Sequence, residues 1–194
     1  MICYAMCGSF CTLKESFDVL SQLKSKEYDI LPVMSERTYS TDTRFGRAVD
    51  HIEKMESLCT RTVIHTVHDA EPIGPKLRPD AMIICPCTGN TLAKLANGIT
   101  DSAVTMAAKS HLRNGRPLLI ALATNDALSA NLTNIGKLAA RKNVYFVPLC
   151  QDDPENKPSS MIARFDLVLP ALEMAERGKQ ITPFFCGAPS NTGG

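Results

Sequence analysis

The sequence lacks several features that mark whole classes of protein. Its 21 Lys and Arg residues nearly balance 20 Asp and Glu residues, and no five consecutive residues carry charge of one sign. This balance leaves no surplus charge to attract polyphosphate, so nucleic acid is not expected as a partner. No run approaches the ~20 apolar residues that cross a membrane, and the apolar amino terminus lacks a basic leader and a cleavage site. We therefore expect a cytoplasmic protein with no membrane partner.

The eight cysteines and four histidines also lack the spacings of a metal site. There is no CxxC pair and no HExxH pattern, and Cys85 and Cys87 only flank Pro86. Tetrahedral sulfur sites need tighter ligand pairs, so no metal is expected. Because cytoplasmic thiols are kept reduced, we expect the cysteines to be free thiols.

The composition is that of a globular domain, with 44% hydrophobic and 21% charged residues in a chain of 194. A chain of this length can bury roughly 70% of its unfolded surface without a disulfide or a metal. We predict a single domain over residues 1–187, since no linker or repeat interrupts it. Residues 188–194 are small and polar and are predicted to be a flexible tail.

Apolar runs alternate with helical patterns along the chain, which favours strands connected by helices. Predicted strands cover residues 2–7, 29–34, 81–85, 117–123 and 144–149. Predicted helices cover residues 12–26, 91–97, 102–113, 132–141 and 170–177, and a further helix carries the stripe Phe45, Val49, Ile52 and Met55. Parallel strands need crossover connections, so we predict a three-layer open α/β fold, Rossmann-like, with a mostly parallel sheet and helices on both faces.

In such sheets, ligands bind beyond the carboxyl ends of the strands. The loop after the first predicted strand contains Gly8, Ser9 and Phe10 and leads into a helix whose free N–H groups suit a phosphate. An ordinary strand-to-helix turn with a hydroxyl cap explains the same residues, and GxGxxG is absent.

The loop after the second predicted strand, residues 35–46, combines hydroxyls with the guanidinium groups of Arg37 and Arg44, which suit phosphate or carboxylate oxygens. A solvated loop with incidental charges is the alternative. We expect Arg44 to recognise a carboxylate; the rival interpretation is an ion pair with Asp42 or Asp50.

The loop after the third predicted strand is the most informative. Thr88, Asn90 and Thr91 offer uncharged donors that suit the polar edge of a planar heterocycle, although such residues also serve as caps and turn formers. A further polar segment, residues 151–160, is predicted to be a long loop, and long ordered loops are often functional.

Several motifs resemble the flavoprotein family that includes phosphopantothenoylcysteine decarboxylase, lantibiotic cysteine decarboxylases and flavin prenyltransferase. The motifs are Gly8-Ser9 and the stretch Pro86-x-Thr88-Gly89-Asn90-Thr91-x-x-Lys94-x-Ala96-x-Gly98-x-x-Asp101. Other segments resemble the branch formed by the B subunits of dipicolinate synthase, namely Ser40-Thr41-x-Thr43-Arg44-Phe45-Gly46, Ala70-Glu71-Pro72-x-Gly74-Pro75-Lys76, Thr124-Asn125-Asp126-Ala127-Leu128 and Gln151-Asp152-Asp153-Pro154-x-x-Lys157-Pro158-x-Ser160-Met161. Together they span residues 8–161.

This resemblance implies an FMN-binding fold that assembles into homo-oligomers, with the flavin in a cleft between protomers. In the B-subunit branch it implies a partner, the A subunit of dipicolinate synthase, that carries NAD(P). It further implies conversion of a dihydrodipicolinate-type intermediate to pyridine-2,6-dicarboxylate in the mother cell during sporulation. The residues it places at FMN are Gly8, Ser9, Phe10, Ser35, Thr88, Gly89, Asn90, Thr91, Asp101 and Ser102.

Small residues in the helices near these loops also favour a homo-oligomer, because they permit close approach between protomers. They are Ala93, Ala96, Ala103, Ala107 and Ala108. The alternative is that these alanines only pack against their own sheet.

The expected substrate is a small dicarboxylate, and the candidates to bind it are Arg37, Arg44, Lys76 and Asn125; no residue is assigned to catalysis. The leading hypothesis is an oxidoreductase subunit, in which either the flavin or the nicotinamide of the A-subunit partner takes the electrons. Cysteine decarboxylation is a competing hypothesis. It is disfavoured because Ala123-Thr124-Asn125-Asp126 replaces the decarboxylases' Pro-Ala-Met-Asn segment and their active-site histidine has no counterpart near residues 43–46. A non-catalytic scaffold is the third hypothesis.

Overall fold

The computed structural model describes residues 1–186, so the predicted tail at residues 188–194 lies outside the described residues. The strands are β1 (Ile2–Met6), β2 (Ile30–Met34), β3 (Ala81–Cys87), β4 (Leu118–Thr124), β5 (Val144–Phe146), β6 (Leu149–Cys150), β7 (Met161–Ala163) and β8 (Phe185–Cys186). The α-helices are α1 (Leu13–Ser25), α2 (Glu36–Ser40), α3 (Ala48–Cys59), α4 (Val67–Ala70), α5 (Gly89–Ala96), α6 (Ala103–Leu112), α7 (Leu132–Ala139) and α8 (Val168–Glu176). Short 3-10 turns cover Phe10–Thr12, Glu71–Ile73 and Phe165–Leu167.

The strands form one mostly parallel sheet in the order β2-β1-β3-β4-β7-β6-β8, and β5 also pairs with β4. β1 to β5 pair in parallel, whereas β7 runs antiparallel to both β4 and β6. Every residue of β1, β2 and β3 is buried, as expected for apolar strands covered on both faces. The predicted fold class is confirmed.

Two groups of helices cover the sheet. α1 contacts α3 and α8, while α6 contacts α4 and α5, and α5 contacts α7. Both groups contact the central strands β3 and β4. The helices therefore form two layers on opposite faces of the sheet.

Two predicted elements differ from the structure. The predicted strand 144–149 is divided, because β5 pairs with the first half of β4 and the chain then leaves that edge for β6, which pairs with β7 and β8. The predicted helix with Phe45 in its stripe begins only at Ala48, and Phe45 and Val49 are 44% and 45% exposed. Gly46, with φ +137°, belongs to the turn that precedes this helix.

The expectation that all cysteines are free thiols is wrong for one pair. Cys150 and Cys186 form a disulfide with their Cα atoms 5.0 Å apart. They are direct partners across the parallel strands β6 and β8, a proximity that a separation of 36 residues in the sequence conceals.

Candidate functional site

Two neighbouring cavities open where β1, β2, β3 and β4 end. The larger has a volume of about 830 Å³ and the smaller about 620 Å³, both in the usual range for small-molecule sites. Gly8, Phe10, Thr88 and Asn90 line both cavities, so the loops after β1 and β3 form their common wall. This is the edge of the sheet at which open α/β folds bind ligands.

The structure distributes nearly all the predicted site residues between these cavities. The larger cavity is lined by Gly8, Ser9, Phe10, Arg44, Thr88, Gly89, Asn90 and Asn125. The smaller cavity is lined by Gly8, Phe10, Ser35, Arg37, Thr88, Asn90, Thr91, Asp101 and Ser102.

Lys76 is not brought to either cavity. It follows the 3-10 turn Glu71–Ile73, whose neighbour Gly74 accepts a hydrogen bond from the Asn114 side chain at 2.8 Å. Asn114 lies between α6 and β4, so this contact is at the amino-terminal edge of the parallel sheet. The structure therefore separates Lys76 from the other predicted substrate ligands.

The loop after β1 exposes a serine hydroxyl to the larger cavity. The Thr12 hydroxyl lies within hydrogen-bond distance of both the backbone oxygen and the side-chain oxygen of Ser9, at 2.9 and 3.1 Å. Ser9 has no other polar side-chain contact among residues 1–186 apart from a long one to the sulfur of Cys11. Its hydroxyl can therefore donate to a ligand.

The loop after β3 combines a helix cap with open donors. The Thr88 side chain accepts a hydrogen bond from the backbone N–H of Thr91 and caps α5. Thr91 in turn donates to the sulfur of buried Cys7. Helix geometry leaves the N–H groups of Gly89 and Asn90 without intrahelical acceptors, so Thr88 serves as a cap while these N–H groups remain available at the cavity wall.

Gly89 allows α5 to approach the loop after β4 closely. A Cβ atom at this position would lie 2.5 Å from the hydroxyl of Thr124 and 2.6 Å from the side-chain nitrogen of Asn131. Those two side chains both donate to the carboxylate of Asp126. The contact fixes the first turn of α5 against this hydrogen-bonded cluster.

The smaller cavity is closed by two helix starts. Ser35 caps the short helix α2, and Ser102 forms a capping box with Thr105 at the start of α6. The carboxylate of Glu36 accepts a hydrogen bond from the backbone N–H of Ala103 at 2.8 Å. The chain's own carboxylate therefore occupies the start of α6, which is not free to bind an anion from a ligand.

Charges in the smaller cavity come from Lys94, Asp101, Arg37 and Glu36, and the Glu36 carboxylate is bound to the start of α6. Lys94 and Asp101 form an ion pair at 2.8 Å, and the hydrogen bond from Lys94 holds the pKa of Asp101 below its ordinary value. Arg37 forms no ion pair among the described residues. It is the cation that this cavity offers to a ligand.

Arg44 belongs to the turn between α2 and α3 and lines the larger cavity. Its guanidinium carbon lies 4.8 Å from the centre of the Phe45 ring. The rival ion pairs are not formed: Asp42 accepts a hydrogen bond from the backbone N–H of Ala48, and Asp50 pairs with Arg47.

Other residues of the larger cavity were not singled out individually from the sequence. Asp126, Lys157, Met161 and Ile162 line it, and they belong to the loop after β4, the 151–160 loop and β7. The polar 151–160 loop was the sequence signal for Lys157. β7 carries no such signal, since a strand of three residues shows no periodicity.

The buried thiols near the cavities are poor nucleophiles. Burial raises the pKa of Cys7 to about 11 and that of Cys87 well above its ordinary value. Both therefore remain protonated at neutral pH and serve as packing groups.

Over residues 1–186, no three His, Cys, Asp or Glu side chains gather in a cluster that could hold a metal ion. The same part of the chain contains no helix with the length and apolar character needed to span a membrane.

The chain is similar to known proteins over most of its length. The family model described as Flavoprotein matches residues 1–172. The B subunit of dipicolinate synthase from Bacillus subtilis (strain 168) is 42% identical over 180 residues, which cover 93% of this chain and 90% of that protein.

The fold is shared with solved structures of other proteins. The crystal structure of the dipicolinate synthase B subunit from Bacillus halodurans C matches with a TM-score of 0.88 and 38% identity, covering 96% of each chain. AnUbiX (PadA1), in complex with FMN and dimethylallyl pyrophosphate, matches with a TM-score of 0.61 and 25% identity, covering 76% of each chain.

Proposed function

Because this chain belongs to the Flavoprotein family, we propose that it binds FMN across the two cavities and acts as an oxidoreductase component in dipicolinate formation. The observation that carries the proposal is the convergence of the loops after β1 and β3 on one wall shared by both cavities. The relatives named as B subunits of dipicolinate synthase support the choice of reaction, since they match nearly the whole chain.

The smaller cavity suits the phosphate of FMN. Arg37 supplies an unpaired cation there, and Ser35 supplies a hydroxyl. The first turn of α5 adds the backbone N–H group of Asn90, which lines this cavity, and the positive end of the helix dipole. This set of donors fits a dianionic group.

The larger cavity suits the isoalloxazine ring. Phe10, Met161 and Ile162 provide apolar surface, and the amides of Asn90 and Asn125 provide polar groups for the ring edge. Bound FMN would supply a two-electron acceptor at this position. The chain's own residues would bind the ring, orient it and limit the access of water.

Aromatisation of a dihydrodipicolinate-type intermediate removes two electrons and two protons from its ring and yields pyridine-2,6-dicarboxylate. We place the substrate in the larger cavity, where Arg44 can bind a carboxylate. The reaction would use the A subunit of dipicolinate synthase, with its NAD(P), as the physiological partner in the mother-cell cytoplasm of a sporulating bacterium.

FMN binding is tested by titrating FMN into the wild type and the double variant Ser9→Ala/Asn90→Ala. A hydrogen bond to a charged group contributes about 1.5–3 kcal/mol and one to a neutral group about 0.5–1.5 kcal/mol, so the loss of one of each should weaken FMN binding by about thirtyfold or more. Ser25→Ala, which removes an exposed hydroxyl on α1, is the matched control and should bind as the wild type does. Equal affinity of the double variant and the wild type would refute this placement of FMN.

The reaction is tested by turnover of the dihydrodipicolinate intermediate with only the A-subunit partner, with both proteins, and with both proteins plus FMN. We expect this chain and FMN together to raise the rate above that of the partner without them. A rate that rises with this chain but ignores FMN would instead support the scaffold hypothesis.

A further inference from the structure

The larger cavity is lined by two cations from separate loops. Arg44 comes from the turn before α3 and Lys157 from the loop between β6 and β7. Both residues lie in segments that resemble the B-subunit branch, and the sequence predicts a substrate-binding role only for the first of them, Arg44. Two cations in one cavity can each bind one carboxylate of a dicarboxylate substrate.

Two acids, Asp126 and Asp152, also line this cavity, and they differ in how firmly the chain's own groups bind them. Asp126 receives hydrogen bonds from the Thr124 hydroxyl and, through both carboxylate oxygens, from the Asn131 amide. Asp152 lies 3.4 Å from the ammonium group of Lys157, in a pair whose side chains are 31% and 56% exposed. Solvent weakens such a pair, so a ligand carboxylate can replace Asp152 as the partner of Lys157.

The loop that carries Lys157 is held in place by several hydrogen bonds. The backbone N–H of Lys157 donates to the backbone oxygen of Asp153 at 2.8 Å. The Gln151 side chain donates to the oxygen of Pro158, and Leu128 donates to the oxygen of Ser159. The ordered loop presents Lys157 to the cavity while its side chain retains freedom.

We propose that Arg44 and Lys157 form a two-cation clamp that selects a dicarboxylate over a monocarboxylate. Arg44 binds one carboxylate, Lys157 binds the other, and the substrate ring lies against Phe45, which also lines this cavity and is not used by the flavin. The clamp deepens the proposed function and rests on it, because it assigns the substrate specificity of the same cavity.

The test compares two planar ligands that differ by one carboxylate. Pyridine-2,6-dicarboxylate and pyridine-2-carboxylate are titrated calorimetrically into the wild type, Lys157→Gln and Arg44→Gln, each with FMN added. A charge-assisted bond changes affinity by about tenfold or more, so the wild type should prefer the dicarboxylate by at least that factor. Each substitution should reduce this preference to about one, because only one cation remains.

Lys14→Gln, which removes an exposed cation on α1, is the control and should keep the wild-type preference. A preference that survives in Lys157→Gln, or a wild type that binds neither ligand, would overturn the clamp. FMN affinity is measured on the same samples. If the wild type does not bind FMN but still prefers the dicarboxylate, only the cofactor assignment is refuted. If the wild type binds FMN but does not prefer the dicarboxylate, only the clamp is refuted.

Discussion

At the scale of single residues, Gly89 is the glycine of the candidate site with the least room for a side chain. Gly89→Ala would bring a Cβ atom to 2.5 Å from the Thr124 hydroxyl and 2.9 Å from a carboxylate oxygen of Asp126. The start of α5 must then move, so we expect a loss of about 1–3 kcal/mol in stability together with weaker FMN binding. Chemical denaturation and FMN titration measure the two effects.

Gly136 in α7 is the matched control, because a Cβ atom there meets nothing within 4 Å. Gly136→Ala should stabilise the protein by about 0.5–1 kcal/mol, since alanine favours a helix interior. A Gly89→Ala variant that behaves like Gly136→Ala would show that the first turn of α5 is not constrained.

Buried His111 should make stability depend on pH. Burial lowers its pKa below the ordinary value of 6.5, although the hydrogen-bond contact with the Pro117 oxygen opposes this shift. Below about pH 6.5, this histidine binds a proton in the unfolded chain and stays neutral in the folded chain. The free energy of unfolding therefore falls as the pH falls through about 6.5. His51, whose pKa burial also lowers, contributes in the same direction.

The measurement is the free energy of unfolding at about pH 7.5 and about pH 5.5, on either side of the ordinary histidine pKa. His111→Gln should lose less stability between the two conditions than the wild type does. His68→Gln, at an exposed position, should keep the wild-type dependence. An unchanged dependence in His111→Gln would mean that another group is responsible.

At the scale of elements, the disulfide between Cys150 and Cys186 attaches the two-residue strand β8 to β6. Closing a loop of this length limits the unfolded chain, so Cys150→Ser should lower stability by about 2–4 kcal/mol. A reductant should produce the same loss in the wild type and none in the variant. Cys11→Ser, at an exposed free cysteine, is the control. A wild type that is indifferent to reductant would show that the thiols are unpaired in solution.

The arrangement of strands and helix starts explains why the loops meet at the candidate site. β1 pairs with both β2 and β3, and β3 pairs with β4, all in parallel, so four strand ends lie at one edge. Helix starts then supply N–H groups and hydroxyl caps where the chain reverses. Of these starts, α6 is occupied by Glu36 and α3 by Asp42, whereas the first turn of α5 keeps the N–H groups of Gly89 and Asn90 for a ligand.

At the scale of the whole molecule, we expect a homo-oligomer. The sequence suggested that small residues in the helices would favour this homo-oligomer. Three of them do not support it, because Ala103, Ala107 and Ala108 are fully buried in the chain's own core. Leu132 at the start of α7 is the side chain with which the oligomer is tested, since it is apolar and 47% exposed.

Sedimentation at micromolar concentration should therefore show a species heavier than the 21.1 kDa chain. Leu132→Lys should shift the distribution toward the monomer, because a charge at an apolar contact opposes association. Leu77→Lys is the control, since Leu77 is 39% exposed and lies close to Lys76, away from both cavities. A wild type that sediments as a monomer would contradict the oligomer.

The sequence by itself determined the fold class, the family and most of the candidate site. Continuous apolar runs become buried parallel strands, and hydroxyl and glycine residues follow the strand ends, because both signals depend only on near neighbours in the chain. The family resemblance rested on motifs such as Thr88-Gly89-Asn90-Thr91, and the match over residues 1–172 confirms it.

Only the tertiary structure decided which distant side chains meet. It placed Lys157 with Arg44 and left Lys76 at the opposite edge of the sheet. It also paired Cys150 with Cys186 and divided the strand predicted at residues 144–149. These outcomes depend on the order of strands and on loops without periodicity. Neither leaves a local pattern in the sequence, because the contacts that stabilise them join residues far apart along the chain.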